Sequence, residues 1–195
     1  MAAIIPRKIR VRNAVLATAT PVLRAEGYAG LTMERVAADS GVAKTTLYRG
    51  WPTKAALCMD LYLDVAAREL RDPDTGDVAR DLKAIAETVI NLQKRTVAGP
   101  AFIGLIAEAQ ISPDTRSAFL AEFAEKRRQI TRTVLRRAIA RGEIGGDTDI
   151  DLVIDIIGGA TMFRLLQGHA PLTKAFSGAL VEMVLSGCRQ KGRQS

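Results

Sequence analysis

Little in this chain can serve redox or metal chemistry. Its 195 residues include two cysteines, Cys58 and Cys188, 130 positions apart, with no CxxC pair and a single histidine, His169. Those spacings exclude a disulfide framework and a cysteine–histidine metal site, and they suit a reducing cytoplasm. His169 follows Gly168 and precedes Pro171, where a helix should end, and no Ser or Cys partner can be assigned to it from sequence. It reads as a cap or loop residue rather than a catalytic base. No ExxH metal motif and no phosphate-cradling glycine loop is found, so an enzyme is not expected, and neither is a cofactor or a metal. No 18-residue stretch is free of charge; the most apolar, Leu152–Leu166, is interrupted by Asp155 and Arg164, so a membrane span is not expected. The opening MAAIIPRKIRVR lacks the apolar run of a secretory signal, and a cytoplasmic protein is the expectation.

What is abundant is positive charge, and it is unevenly placed. Of the net +7, residues 1–57 carry nearly all, with nine Lys/Arg against three acids; the remaining residues hold 19 against 18. A polyanion is the natural partner of such a segment. At 48% hydrophobic and 25% charged, the rest has ample apolar material for a core.

Helical periodicity dominates throughout. The first helix is predicted from about Lys8 to Ala25 and ended by Gly27, with Pro21 as a kink in its interior. Thr32 can cap a two-turn helix over Met33–Asp39. Gly41 supplies a left-handed turn, Val42 fills the corner, and Ala43–Arg49 forms a second short helix with Leu47 buried. Thr53 can cap a third helix running to about Leu70. Beyond the turn-rich Asp72–Asp77, helices are expected near Val78–Val97, Ala101–Ile111, Asp114–Arg141, Ile150–Gln167 and Leu172–Cys188. The predicted fold class is all-α.

A short helix following a glycine turn is the layout of a helix-turn-helix unit, whose second helix enters the major groove and reads bases with its first turn. Here that turn is Ala43-Lys44-Thr45. Lys44 can donate to guanine O6/N7 or to a phosphate, and Thr45 can offer its hydroxyl, or its methyl to thymine. Thr46, Tyr48 and Arg49 are predicted along the groove wall. Thr32 and Lys54, at helix N-termini, should reach the flanking phosphates. Trp51 either packs on a sugar or fills the corner before Pro52. Arg7, Lys8, Arg10 and Arg12 suggest a basic arm or a solvated terminus.

The stretch GYAGLTMERVAADSGVAKTTLYRGWPTKAAL resembles the DNA-binding signature of the tetracycline-repressor (TetR) family of bacterial transcriptional regulators. The match lies at Gly27-Tyr28, Thr32, Val36-Ala37, Gly41-Val42, Leu47-Tyr48, Lys54 and Leu57. Ala43 stands where a serine cap is common, and Gly50-Trp51 replaces a pair of larger side chains. The resemblance implies a three-helix DNA-binding domain over residues 1–57 and a helical ligand-binding and dimerisation domain over 58–195. It further implies a homodimeric repressor that a small-molecule effector releases from a palindromic operator. The last two helices would pair with their copies, and the Gly158-Gly159-Ala160 notch suits a close approach. Phe102, Leu105, Gln110, Met162, Phe163 and Leu166 are candidates to line an apolar effector pocket; as a set they equally fit a bundle core. The Arg128, Arg132, Arg136 stripe reads as a solvated face offset by Glu122 and Glu125. The alternative function is a helical protein that binds nucleic acid without sequence preference.

Overall fold

Side-chain caps and glycine turns set most of the helix boundaries. The computed structural model describes residues 6–121 and 125–188, Lys126 by its backbone alone, and every regular element among them is a helix. In chain order they are α1 (Arg7–Gly30), α2 (Met33–Ser40), α3 (Lys44–Gly50), α4 (Lys54–Glu69), α5 (Val78–Arg95), α6 (Ala98–Ile111), α7 (Pro113–Phe119), α8 (Glu125–Ala140), α9 (Ile150–Gln167) and α10 (Lys174–Cys188).

Three predicted boundaries move. Within α1 the only non-helical dihedrals are at Gly27 (φ 68°, ψ −170°), so the helix bends there and resumes to Gly30, while Pro21 sits in the helix without breaking it. Gly99-Pro100 opens α6 rather than separating helices, because a first-turn residue needs no N–H partner and proline has none to offer. The single helix expected over Asp114–Arg141 is instead α7 and α8; Ser112 caps α7 by accepting from the Thr115 N–H at 3.2 Å. Glu122 lies outside the described residues.

The chain forms two compact units. The first takes residues 1–68 and 92–123. Its core gathers Val15, Leu23, Leu31, Val36, Leu47, Leu57, Leu61, Tyr62, Phe102 and Leu105, all buried. Each such side chain contributes about 1.5–3 kcal/mol by leaving water. Tyr62, Phe102 and Phe119 stack in sequence, with tilted rings 5.9 and 6.0 Å apart. Helix α1 packs on α2 and α6. At the α6 contact a Cβ on Gly104 would lie 2.0 Å from the Tyr28 ring, so only glycine admits the tyrosine there. The Tyr28 hydroxyl then donates to Glu108 on the same helix. Burial, and next the bond to Glu108, raise the Tyr28 pKa well above the usual phenol range.

The second unit takes residues 69–91 and 124–195. Leu82, Val134, Leu135, Ala138, Ile144, Val153, Ile154, Ile157, Val181, Val184 and Leu185 form its core. The Asp72–Asp77 turn is tied down twice. Buried Asp81 accepts from the Thr75 N–H (3.1 Å) and hydroxyl (2.7 Å), and the Arg137 guanidinium of α8 pairs with Asp72 and Asp74. Two arginines of the α8 stripe pair across to α9, Arg128 with Asp151 and Asp155 and Arg132 with Asp151 (2.7 Å); Arg132 also pairs with Glu125 of its own helix (3.0 Å). Gly168 ends α9 in the left-handed conformation, and His169 beyond it is exposed, its ring 5.1 Å from Phe163.

No described helix is long and apolar enough to cross a membrane.

Candidate nucleic-acid interface

Residues 27–60 place the short helix α3 between α2 and α4 in the chain, with α3 packed on α2. Thr32 caps α2 by accepting from the Arg35 N–H at 3.2 Å. Gly41 then turns the chain in the left-handed region (φ 67°), where a side chain is strained. Helix α3 opens directly at Lys44, and its first residue has no side-chain cap, because Ala43 has no oxygen to provide one. Leu47 points into the core and is fully buried. Ala43, Lys44, Thr45, Tyr48 and Arg49 are exposed and Thr46 is half-buried. The face therefore holds an uncapped helix N-terminus, with its free N–H groups and partial positive charge, beside a lysine, hydroxyls and an arginine. Thr53 caps α4 by accepting from the Ala56 N–H at 3.1 Å.

Two of the predicted contact residues are engaged by partners within the fold. Trp51 is 8% exposed, and its indole N–H donates to Asp60 Oδ2 at 3.0 Å. It fills the corner between α3 and α4, the second of its two sequence readings. The Lys54 ammonium donates to the Tyr28 carbonyl at 3.1 Å and lies 4.2 Å from the centre of that tyrosine's ring. It spans from the start of α4 to the end of α1. Arg12 is held in the same way: its guanidinium bonds Asp60 (2.7 Å) and Asp64 (2.9 Å) on α4. Arg7, Lys8 and Arg10 remain exposed on the first turns of α1.

Glu34 carries no local sequence signal of a role on this face. It lies in the first turn of α2 and accepts a hydrogen bond from the Tyr48 hydroxyl at 2.8 Å. That bond holds the Glu34 carboxyl below the usual carboxylate range and raises the Tyr48 phenol above its own; nearby Lys44 adds a smaller pull on Glu34. Asp60 is not predicted from the sequence either, although it anchors both Trp51 and Arg12. Its only sequence signal is an acid on an otherwise apolar stretch of α4.

The candidate effector residues fall in separate units. Phe102 and Leu105 are buried in the first, and Gln110 is exposed there, its amide donating to the Ile106 carbonyl at 3.2 Å. Met162, Phe163 and Leu166 are exposed in the second, on α9.

A short exposed helix that follows a left-handed glycine turn and lies in sequence between two capped helices is the layout of a helix-turn-helix DNA-binding regulator. The comparisons with known proteins agree. Residues 15–60 match the model of bacterial regulatory proteins of the tetR family, and residues 72–184 match the tetracyclin repressor-like C-terminal domain. The HTH-type transcriptional regulator YdeS of Bacillus subtilis (strain 168) is 31% identical over 162 residues, covering 83% of this chain and 81% of that one. A DNA-binding transcriptional repressor, TetR, of Mycobacteroides abscessus is 35% identical over 176 residues, covering 88% and 90%. Among solved structures, the TetR family transcription regulator SCO0332 is 40% identical with a TM-score of 0.77, covering 91% of this chain and 98% of its own. The chain belongs to the TetR family of transcriptional regulators. Proteins of this family are DNA-binding regulators and not enzymes.

Proposed function

We propose that the protein is a homodimeric repressor that binds a palindromic operator and is released from it by a small molecule. The observation that carries this is the exposed, uncapped first turn of α3, with Lys44 and Thr45 beside the free N–H groups. Residues 1–57 act as the DNA-binding domain and residues 58–195 as the ligand-binding and dimerisation domain. Lys44 and Thr45 face base edges, and Thr32, Thr46, Tyr48 and Arg49 face the backbone. The cytoplasm is the compartment such a regulator requires.

Dimerisation rests on α9. One of its faces, with Val153, Ile154 and Ile157, is buried in its own unit. The other carries Leu152, Ile156, Phe163 and Leu166, from 42% to 60% exposed. With Gly159 these positions recur every three or four residues, and a Cβ on Gly159 would meet nothing within 4 Å. A continuous apolar stripe with a notch at its centre is the surface of a helix that pairs with a copy of itself. Met183 of α10 is a further exposed apolar side chain in this unit. Two copies would read two half-sites about one helical turn apart, ~34–36 Å.

The expected outcome for Phe163→Glu is a shift from dimer to monomer in sedimentation equilibrium. Its dimer dissociation constant should rise at least about 10-fold, because a charge is placed in an apolar contact. Operator affinity should fall in parallel.

A small-molecule effector would act by favouring one spacing of the two DNA-reading heads. In the second unit a cavity of about 50 Å³ lies between Leu70, Pro73, Ala84, Ile85 and Ile130, with Arg71 and Arg127 at its wall. That volume suits a few waters rather than an effector, so ligand entry there would have to widen it.

A further inference from the structure

Residues 1–57 contain only three acids, and two of them are already paired: Glu26 bonds Arg35 at 2.8 Å, and Asp39 lies 3.6 Å from the same guanidinium. Glu34 differs. Its contact is with the neutral phenol of Tyr48, so its charge is not cancelled by that bond. It therefore stands as an exposed carboxylate with no ion-pair partner within 4 Å among the described residues, its charge offset only in part by nearby Lys44, on the face that carries Lys44, Thr45, Tyr48 and Arg49.

Two consequences follow for DNA. A phenol has one proton, and while the Tyr48 hydroxyl donates to Glu34 it has none for a phosphate. A phosphate that takes that proton must also come close to the Glu34 carboxylate, which repels it. Sequence-blind binding consists almost entirely of phosphate contacts, so it meets this repulsion in every register. The operator meets the same repulsion at the Tyr48 phosphate but adds base-edge contacts that offset it. In the major groove, cytosine N4 and adenine N6 present N–H donors that a carboxylate or an amide oxygen can accept.

We propose that Glu34 is a specificity-determining residue that acts by exclusion: it disfavours non-cognate DNA more than the cognate operator. The proposal rests on the reading in which α3 enters the major groove.

The test uses the full-length protein and the isosteric variant Glu34→Gln, which keeps an acceptor for Tyr48 and removes the charge. Affinities are measured by fluorescence anisotropy for the operator and for a scrambled duplex of equal length, at several salt concentrations. A melting curve that matches wild type establishes that the variant is folded, as expected for an exposed side chain. Glu34→Gln is expected to strengthen scrambled-duplex binding about 5-fold and to change operator binding by less than about 2-fold, with the gap narrowing as salt rises. An unchanged ratio of the two affinities would overturn the proposal. So would a ratio that falls only through weaker operator binding, which would make Glu34 a direct base reader. A wild-type protein with no preference for any duplex would overturn the groove placement and this proposal together.

Discussion

Lys44→Ala lowers operator affinity on the order of 100-fold or more and leaves the melting temperature unchanged. Lys44 is the first residue of α3, is exposed, and stands next to the uncapped N–H groups of that helix. Its ammonium can reach either guanine O6/N7 or a phosphate. A contact of either kind is worth about 1–3 kcal/mol in each half-site, and a dimer makes it twice. The side chain packs against nothing in the core, so its removal costs the fold little. Anisotropy titrations at three or more salt concentrations separate the two contacts. A relaxed base preference at one position with an unchanged salt slope assigns Lys44 to a base edge, whereas a slope reduced by about one per subunit assigns it to a phosphate. Unchanged affinity would contradict the assigned reading face.

Trp51→Ala acts on the opposite side of the same helix and has the opposite signature. The indole is buried in the corner between α3 and α4, and its N–H is bound to Asp60. Truncating a buried tryptophan costs about 3–5 kcal/mol, a large share of the about 5–15 kcal/mol that holds a domain together. The unfolding midpoint, followed by circular dichroism, should fall on the order of 10 °C. Operator binding should fail because α3 loses the side chain behind it. Trp51→Phe supplies the control. It keeps most of the bulk, and Asp60 keeps its bonds to Arg12, so a loss of about 1 kcal/mol is expected. Equal stability of Trp51→Ala and wild type would show that the corner is not held by this ring.

These two residues also show how far the sequence could be read. The parts that local rules decide were legible: Thr32 and Thr53 as caps, Gly41 as the left-handed turn, Leu47 as the buried anchor, Gly168 as the end of α9. Each depends on residues within one helical turn. Long-range partners were not legible. Arg12 reads as a member of a basic arm until the fold brings Asp60 and Asp64, 48 and 52 residues away, onto it. The Tyr28–Glu108 bond joins residues 80 apart, and the requirement for Gly104 beneath the ring follows only from that packing. Glu34 was hidden for a related reason. A carboxylate near a helix N-terminus already has a local explanation in the helix dipole, so nothing in the sequence directed attention to Tyr48 fourteen residues on. Met162, Phe163 and Leu166 illustrate a further limit. Apolar residues on a helix announce burial, but the sequence cannot say whether a ligand, the core or a second copy provides it.

The most direct test of the account is selection of binding sites from random duplex DNA with the full-length protein, followed by measurement of the salt dependence of the selected site. The account predicts enrichment of an inverted repeat whose half-sites are centred about one helical turn apart, bound with a dimer's stoichiometry. Salt-sensitive binding with no enriched sequence would contradict it and assign the basic face to sequence-blind attachment.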